Sequence, residues 1–193
     1  MPKKDVPAWP LPALIMLAAL GCSRADQAPA EAAVQTPPAV AAAGGCGDHG
    51  YLATTLVGAV EAEIDWESAD LDCAGMPRPG GEGARLRFAG RADDRQLAII
   101  IALPDLRRDR GAARELASNV TLIEEGAGRF FSTADTDICW TDVTILEPDP
   151  GAADRYRIGG NLYCVAPLVE VNGSSSVSLA ELSFHGLLDW GAS

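Results

Sequence analysis

The sequence predicts an all-β domain: an antiparallel β-sandwich or partly closed barrel of about eight strands, with room for one short surface helix. Three observations predict it. Apolar residues recur in short runs at period two, clusters of Gly, Pro, Asn and Asp separate the runs, and no stretch carries a long helical period. A sandwich is favoured over a barrel because several runs are short and one is almost wholly apolar.

Taken in order, Leu56, Gly58, Val60, Ala62, Ile64 and Trp66 share one parity while Glu61, Glu63 and Asp65 share the other. That alternation predicts one half-buried strand over 56–66. The stretch 70–83, with Cys73, Pro77, Pro79 and four glycines, reads as a loop pinned by Cys73. Arg85 to Ala89 reads as a short strand with Leu86 and Phe88 inward, and 90–95 as a polar turn. Leu97 to Leu103 is the most apolar run and suits a central strand covered on both sides, ended by Pro104.

The charged stretch 105–118 carries no core, and 111–116 allows a turn of helix. Val120–Ile123 and Arg129–Phe131 read as strands around a Glu-Glu-Gly-Ala-Gly turn. Ile138–Leu146 and Tyr156–Val165 flank Glu147-Pro148-Asp149-Pro150-Gly151, which is turn chemistry. Asn172-Gly173 marks a further turn. Val177–Leu188 is read as a final strand bulged near Ala180, because Val177 and Leu179 lie on one parity and Leu182, Phe184 and Leu188 on the other.

Ahead of the domain, Lys3 and Lys4 precede an apolar run from Trp9 to Gly21. Those thirteen residues are too few to cross a hydrocarbon core of about 30 Å as a helix, so they read as a signal segment. Ala19-Leu20-Gly21-Cys22 resembles the lipobox of bacterial lipoprotein precursors, with Ala19 where that class most often has Leu. The resemblance implies cleavage before Cys22, S-diacylation of its thiol and acylation of its new amino terminus. Three acyl chains hold a protein to a bilayer far more firmly than one. Ser23 stands where Asp is the usual inner-membrane retention signal, which implies the outer membrane. The expected organisation is a signal peptide over 1–21, a lipidated cysteine with a disordered Ala/Pro-rich tether over 22–45, and a β domain over 46–193.

The domain's four cysteines, Cys46, Cys73, Cys139 and Cys164, are an even set in an exported context and predict two disulfides. Cys139 and Cys164 flank the 147–151 turn, one on each of the two strands it joins. Pairing them across an antiparallel hairpin sets Val143 beside Gly160 and Ile145 beside Ile158, leaving Cys46 for Cys73. The domain also bears a general likeness to exported β-rich lipoprotein domains with a cysteine strand, a Gly-x-x-x-Cys strand (Gly160 to Cys164) and a closing Phe-containing strand. This covers only the C-terminal third and transfers no catalytic or ligand residue.

Both lysines precede the domain, where twelve arginines face twenty-four acidic residues, a net charge of -12. Such a surface repels nucleic acid and anionic headgroups, so no nucleic-acid partner is expected and membrane attachment falls to the acyl chains on Cys22. No phosphate loop, heme-attachment motif or metal-ligand spacing is present, and no cofactor is expected. His49 and His185 are both read as solvent-facing, without a nucleophile motif near either, and no catalytic residue is assigned. Glu61, Glu63, Asp65, Glu67, Asp70 and Asp72 read as a solvated acidic ridge.

Trp140 falls opposite in parity to Cys139 and Val143, and of the adjacent Phe130 and Phe131 one must face outward. Trp140, Tyr163, Phe130 and Phe131 therefore form the candidate recognition patch. The expectation is a non-catalytic binding or structural module of the cell envelope, lipid-anchored and facing the periplasm, with an envelope protein or a glycan as partner. The alternative is a small hydrolase or metal-dependent enzyme built on the acidic patch at 61–72.

Overall fold

The structure, a computed structural model, describes residues 45–80, 82–135 and 137–192. The signal segment, Cys22 and nearly all of the tether lie outside the described residues. Thirteen strands form a single antiparallel sheet, and no helix occurs among the described residues. The strands are β1 (Tyr51–Gly58), β2 (Ala62–Glu67), β3 (Asp72–Pro77), β4 (Ala84–Ala92), β5 (Arg95–Leu103), β6 (Ala113–Ala117) and β7 (Asn119–Glu125). They continue with β8 (Arg129–Ser132), β9 (Cys139–Pro148), β10 (Arg155–Cys164), β11 (Leu168–Glu170), β12 (Ser176–Leu179) and β13 (Leu182–Asp189).

Along the ladder the order is β3-β4-β5-β7-β8-β11-β12-β1-β13-β10-β9-β6, with β2 on the free side of β1. The sheet doubles over, so that β3 and β4 in one arm face β13 in the other. Phe88 of β4 meets Phe184 of β13 at 5.7 Å with planes tilted by 56°, a favoured aromatic geometry. On β3, a Cβ added to Gly75 would stand 2.2 Å from the Leu187 carbonyl oxygen, so the bare α-carbon is what lets these backbones approach. One contiguous core fills the fold, drawing Leu52, Leu56, Ile64, Phe88, Ile99, Val120, Phe131, Leu162 and Phe184 from both arms. The all-β, antiparallel, sandwich-like expectation therefore holds.

The strand count rises from eight to thirteen for specific reasons. The stretch 56–66 is a hairpin rather than one strand: β1 and β2 pair with Leu56 opposite Ala62, and the chain turns at Gly58, whose φ is +120°. Parity survives because Leu52, Thr54 and Leu56 point inward on the way out and Ala62, Ile64 and Trp66 on the way back. The loop expected at 70–83 contains β3, a sheet-edge strand, the place where its terminal Pro77 costs no ladder bond.

The turn of helix allowed at 111–116 is instead the edge strand β6 on β9. Its register shifts between Ala113 and Leu116, and the Glu115 amide donates to the Asp142 carboxylate at 2.8 Å. A helix there would have left that side of β9 without its ladder partner. Nor is the excursion without core, since Leu106 is fully buried. β11 adds a strand, and the expected bulge near Ala180 is a complete break. β12 pairs with β1 and β11, β13 with β1 and β10, and the chain between them is held by Ala180 N–H donating to the Thr55 carbonyl at 2.9 Å.

Cys46 is joined to Cys73 and Cys139 to Cys164. In the β9–β10 hairpin Val143 lies opposite Gly160, but a bulge at Gly159/Gly160 sets Leu146, not Ile145, opposite Ile158. Leu146 is accordingly buried, while Ile145 is only half-buried.

Candidate functional site

The aromatic patch divides in the structure. Trp140 on β9 and Tyr163 on β10 are direct cross-strand partners, next in register to the Cys139–Cys164 pair. Their rings stack at 5.8 Å with planes 28° apart. Tyr163 is 39% exposed and Trp140 half-buried, so the pair presents an aromatic surface fixed by two paired strands and a disulfide. β6 meets this region as a neighbouring strand, with Ala117 opposite Trp140, rather than as a cover over the indole.

Phe131 does not belong to that surface. It is fully buried in the core, with the Arg129 guanidinium 4.8 Å from its ring centroid. Phe130 is the outward member of the two, 44% exposed, and sits on β8 beside β7 and β11. Its neighbours are Ile123, its register partner, and Val171, whose amide donates to the Phe130 carbonyl at 2.8 Å. No ring contact joins it to Trp140 or Tyr163 among the described residues.

The acidic ridge faces water. Glu63, Asp65 and Glu67 project outward from β2, and Glu61 and Asp70 are exposed in turns on either side. Asp72 instead lies on β3, where it accepts from Arg87 at 2.8 Å. Among the described residues no group of three or more His, Cys, Asp or Glu side chains is placed to hold a metal ion. Like charges on an open strand face give a solvated edge that discourages pairing with another chain.

The histidines come closer to a site than their sequence positions indicate. His185 was expected to face solvent, yet it is half-buried and stacks on Tyr51 at 6.3 Å with planes 14° apart. The signal was the register itself, since Tyr51 and His185 are direct partners across β1 and β13. His49 is exposed and lines the same two hollows as His185. One, of about 540 Å³, also takes in Asp48, Tyr51, Glu67 and Ser68; the other, of about 350 Å³, reaches Asp149, Arg155 and Arg157.

Burial holds the His185 imidazole below its ordinary pKa; the His49 main chain opposes this, while Arg157 and His49 add to it. Among the described residues its buried Nδ1 has no hydrogen-bond partner. The nearby hydroxyl, Ser68 Oγ, lies 2.8 Å from the Gly47 carbonyl and 3.0 Å from that of Gly50. It holds the 47–50 turn as a donor and is not oriented toward an imidazole base.

A third hollow, of about 640 Å³, lies at the turn end of the β9–β10 hairpin, away from Trp140 and Tyr163, and is lined by Arg107, Arg108, Tyr156 and Trp190 among others. Arg108 donates from Nε to the Tyr156 hydroxyl at 3.1 Å and from Nη1 to Asp154 at 3.0 Å.

No protein-family model matches this chain, and neither a curated protein nor a solved structure shows significant similarity to it.

Proposed function

We propose that this chain is an exported, lipid-anchored envelope protein whose β domain is a non-catalytic binding module, and that Trp140 and Tyr163 form its contact surface. The single observation that carries the reading is the stacked pair beside Cys139–Cys164. Aromatic side chains held rigid by paired strands lose little conformational entropy on binding and bring large amphipathic area to a partner. The Ala19-Leu20-Gly21-Cys22 resemblance supports lipid attachment and a periplasm-facing place at the outer membrane. A hydrolase on the acidic ridge has less support, because Glu63, Asp65 and Glu67 diverge into solvent instead of converging across a cleft.

Two measurements in a Gram-negative host test the reading. Metabolic labelling with a palmitate analogue is expected to mark the wild-type chain and not Cys22→Ser. A photocrosslinking residue at position 140 is expected to give a discrete adduct, and the same residue at 63 none. Adducts from neither position in a folded, labelled protein refute the aromatic contact surface.

A further inference from the structure

The hollow at Arg107 and Arg108 is lined by cationic, aromatic and acidic residues and lies apart from the proposed contact surface. In a domain without lysine and with a net charge of -12, the loop Arg107-Arg108-Asp109-Arg110 gathers three guanidinium groups within four residues. It is pinned immediately before them, because Leu106 is 1% exposed and belongs to the core.

The two wall arginines are committed to different degrees. Arg108 is fixed by Tyr156, by Asp154 and by the Ala153 carbonyl at 3.3 Å, and its guanidinium lies 5.0 Å from the Tyr156 ring centroid. Among the described residues, the Arg107 side chain has a 3.5 Å ion pair with Glu82, whose side chain is 81% exposed. An exposed pair of that length is weak, so an incoming oxyanion displaces it at little cost. Half-buried Trp190 also lines the hollow, as do Glu82 and Asp109, whose carboxylates are acceptors.

Donors to an anion, an aromatic surface and carboxylates that accept from hydroxyl groups are together the complement of a hydroxylated ring bearing a negative charge. The volume of about 640 Å³ suits a small organic ligand and far exceeds what a bare oxyanion requires. At physiological salt the field of distant charges is screened within about 8 Å, so the net charge of the domain acts on the cleft only through its nearest groups.

We infer that this cleft binds an acidic sugar, with the carboxylate or phosphate of the sugar on Arg107 and Arg108 and its ring on Trp190. The site stands apart from the Trp140–Tyr163 pair. Tyr156 and Tyr163 are seven residues apart on one strand, about 23 Å at the usual rise.

The test follows the Trp190 indole Nε1–H resonance of the full-length chain in detergent, assigned by its loss in Trp190→Phe. Glucuronate, glucose 6-phosphate, glucose and inorganic phosphate are titrated in turn. Saturable shifts are expected with at least one acidic sugar, the tighter of the two showing whether carboxylate or phosphate is preferred. Arg107→Ala is expected to weaken binding about tenfold, the worth of one charge-assisted contact. Arg110→Ala, which removes the same charge outside the cleft wall, is expected to change it less than about twofold if the contact is direct. The inference is overturned if neither acidic sugar saturates, if glucose or inorganic phosphate binds as tightly, or if the two arginine variants behave alike.

Discussion

The Arg87 guanidinium on β4 donates from Nη2 to Glu125 on β7 at 2.7 Å, reaching over the intervening strand β5. Its Nη1 donates to Asp72 on β3 at 2.8 Å, so one side chain ties three strands of an arm from outside. To do so it crosses the row formed by Ala89 and its register partner Ala98. Both alanines are on the outer parity yet only 2% and 0% exposed. The side chain thus acts as a cover as well as an ion-pair partner.

Two substitutions separate those roles. Arg87→Ala is expected to destabilise the fold by about 1–2 kcal/mol, more than the 0–1 typical of an exposed pair, because the alanine row is opened to water. Arg87→Met, which keeps a stem, is expected to recover about half of that loss. Urea unfolding of both variants checks this. Equal losses would mean that charge alone matters.

Gly75 is the second point of leverage. The Leu187 carbonyl stands where its Cβ would go, and backbone cannot rotate aside as a side chain can. Gly75→Ala is expected to cost about 1–3 kcal/mol by forcing β3 off β13, whereas Met76→Ala, next to it and 40% exposed, should stay within about 0.5. Denaturation midpoints of the pair decide the matter.

The contrast between these residues shows what was legible in the sequence. Binary alternation identified the buried faces, because Leu86, Phe88, Val143, Leu182 and Phe184 each need only their own strand to be assigned inward. The 147–151 turn likewise identified Cys139 and Cys164 as partners, one on each of the two strands it joins. Alternation is blind to a turn that preserves parity, so β1 and β2 merged into one strand across Gly58. Edge strands such as β3 and β6 carry mostly small or irregularly spaced apolar residues and leave almost no periodic trace.

The site was less legible than the fold. Trp140 and Tyr163 could be placed together from hairpin register. The Tyr51–His185 stack and the Arg108–Tyr156 contact instead depend on strand pairings and loop paths separated by 134 and 48 residues. No local pattern encodes those.

The disulfides give a prediction that bears on the proposed contact surface. Each closes a loop of similar length, with sequence separations of 27 and 25. Removing either by a paired Cys→Ser change is therefore expected to cost a comparable roughly 3–4 kcal/mol. Their effects on position 140 should differ. Only loss of Cys139–Cys164 frees the strand ends that carry Trp140 and Tyr163, so crosslinking from position 140 should fall in that variant and persist without Cys46–Cys73. Equal effects on crosslinking would detach the aromatic pair from its brace.

His185 makes stability depend on pH in a direction that can be worked out. Burial, opposed by the His49 main chain but reinforced by Arg157 and His49, lowers its pKa in the folded state relative to about 6.5 in the unfolded chain. Below that value the unfolded state binds the proton more readily, so stability is lost as pH falls through the window below 6.5. Asp149, lowered chiefly by Arg155, and Glu170, lowered chiefly by Arg129, act in the same sense but only near and below about pH 4. The urea midpoint should therefore fall in two separate steps on acidification. His185→Gln, which cannot titrate, is expected to flatten the upper step and leave the lower one in place. A wild-type midpoint constant between about pH 7 and 5 would mean that the imidazole takes up its proton equally well in both states.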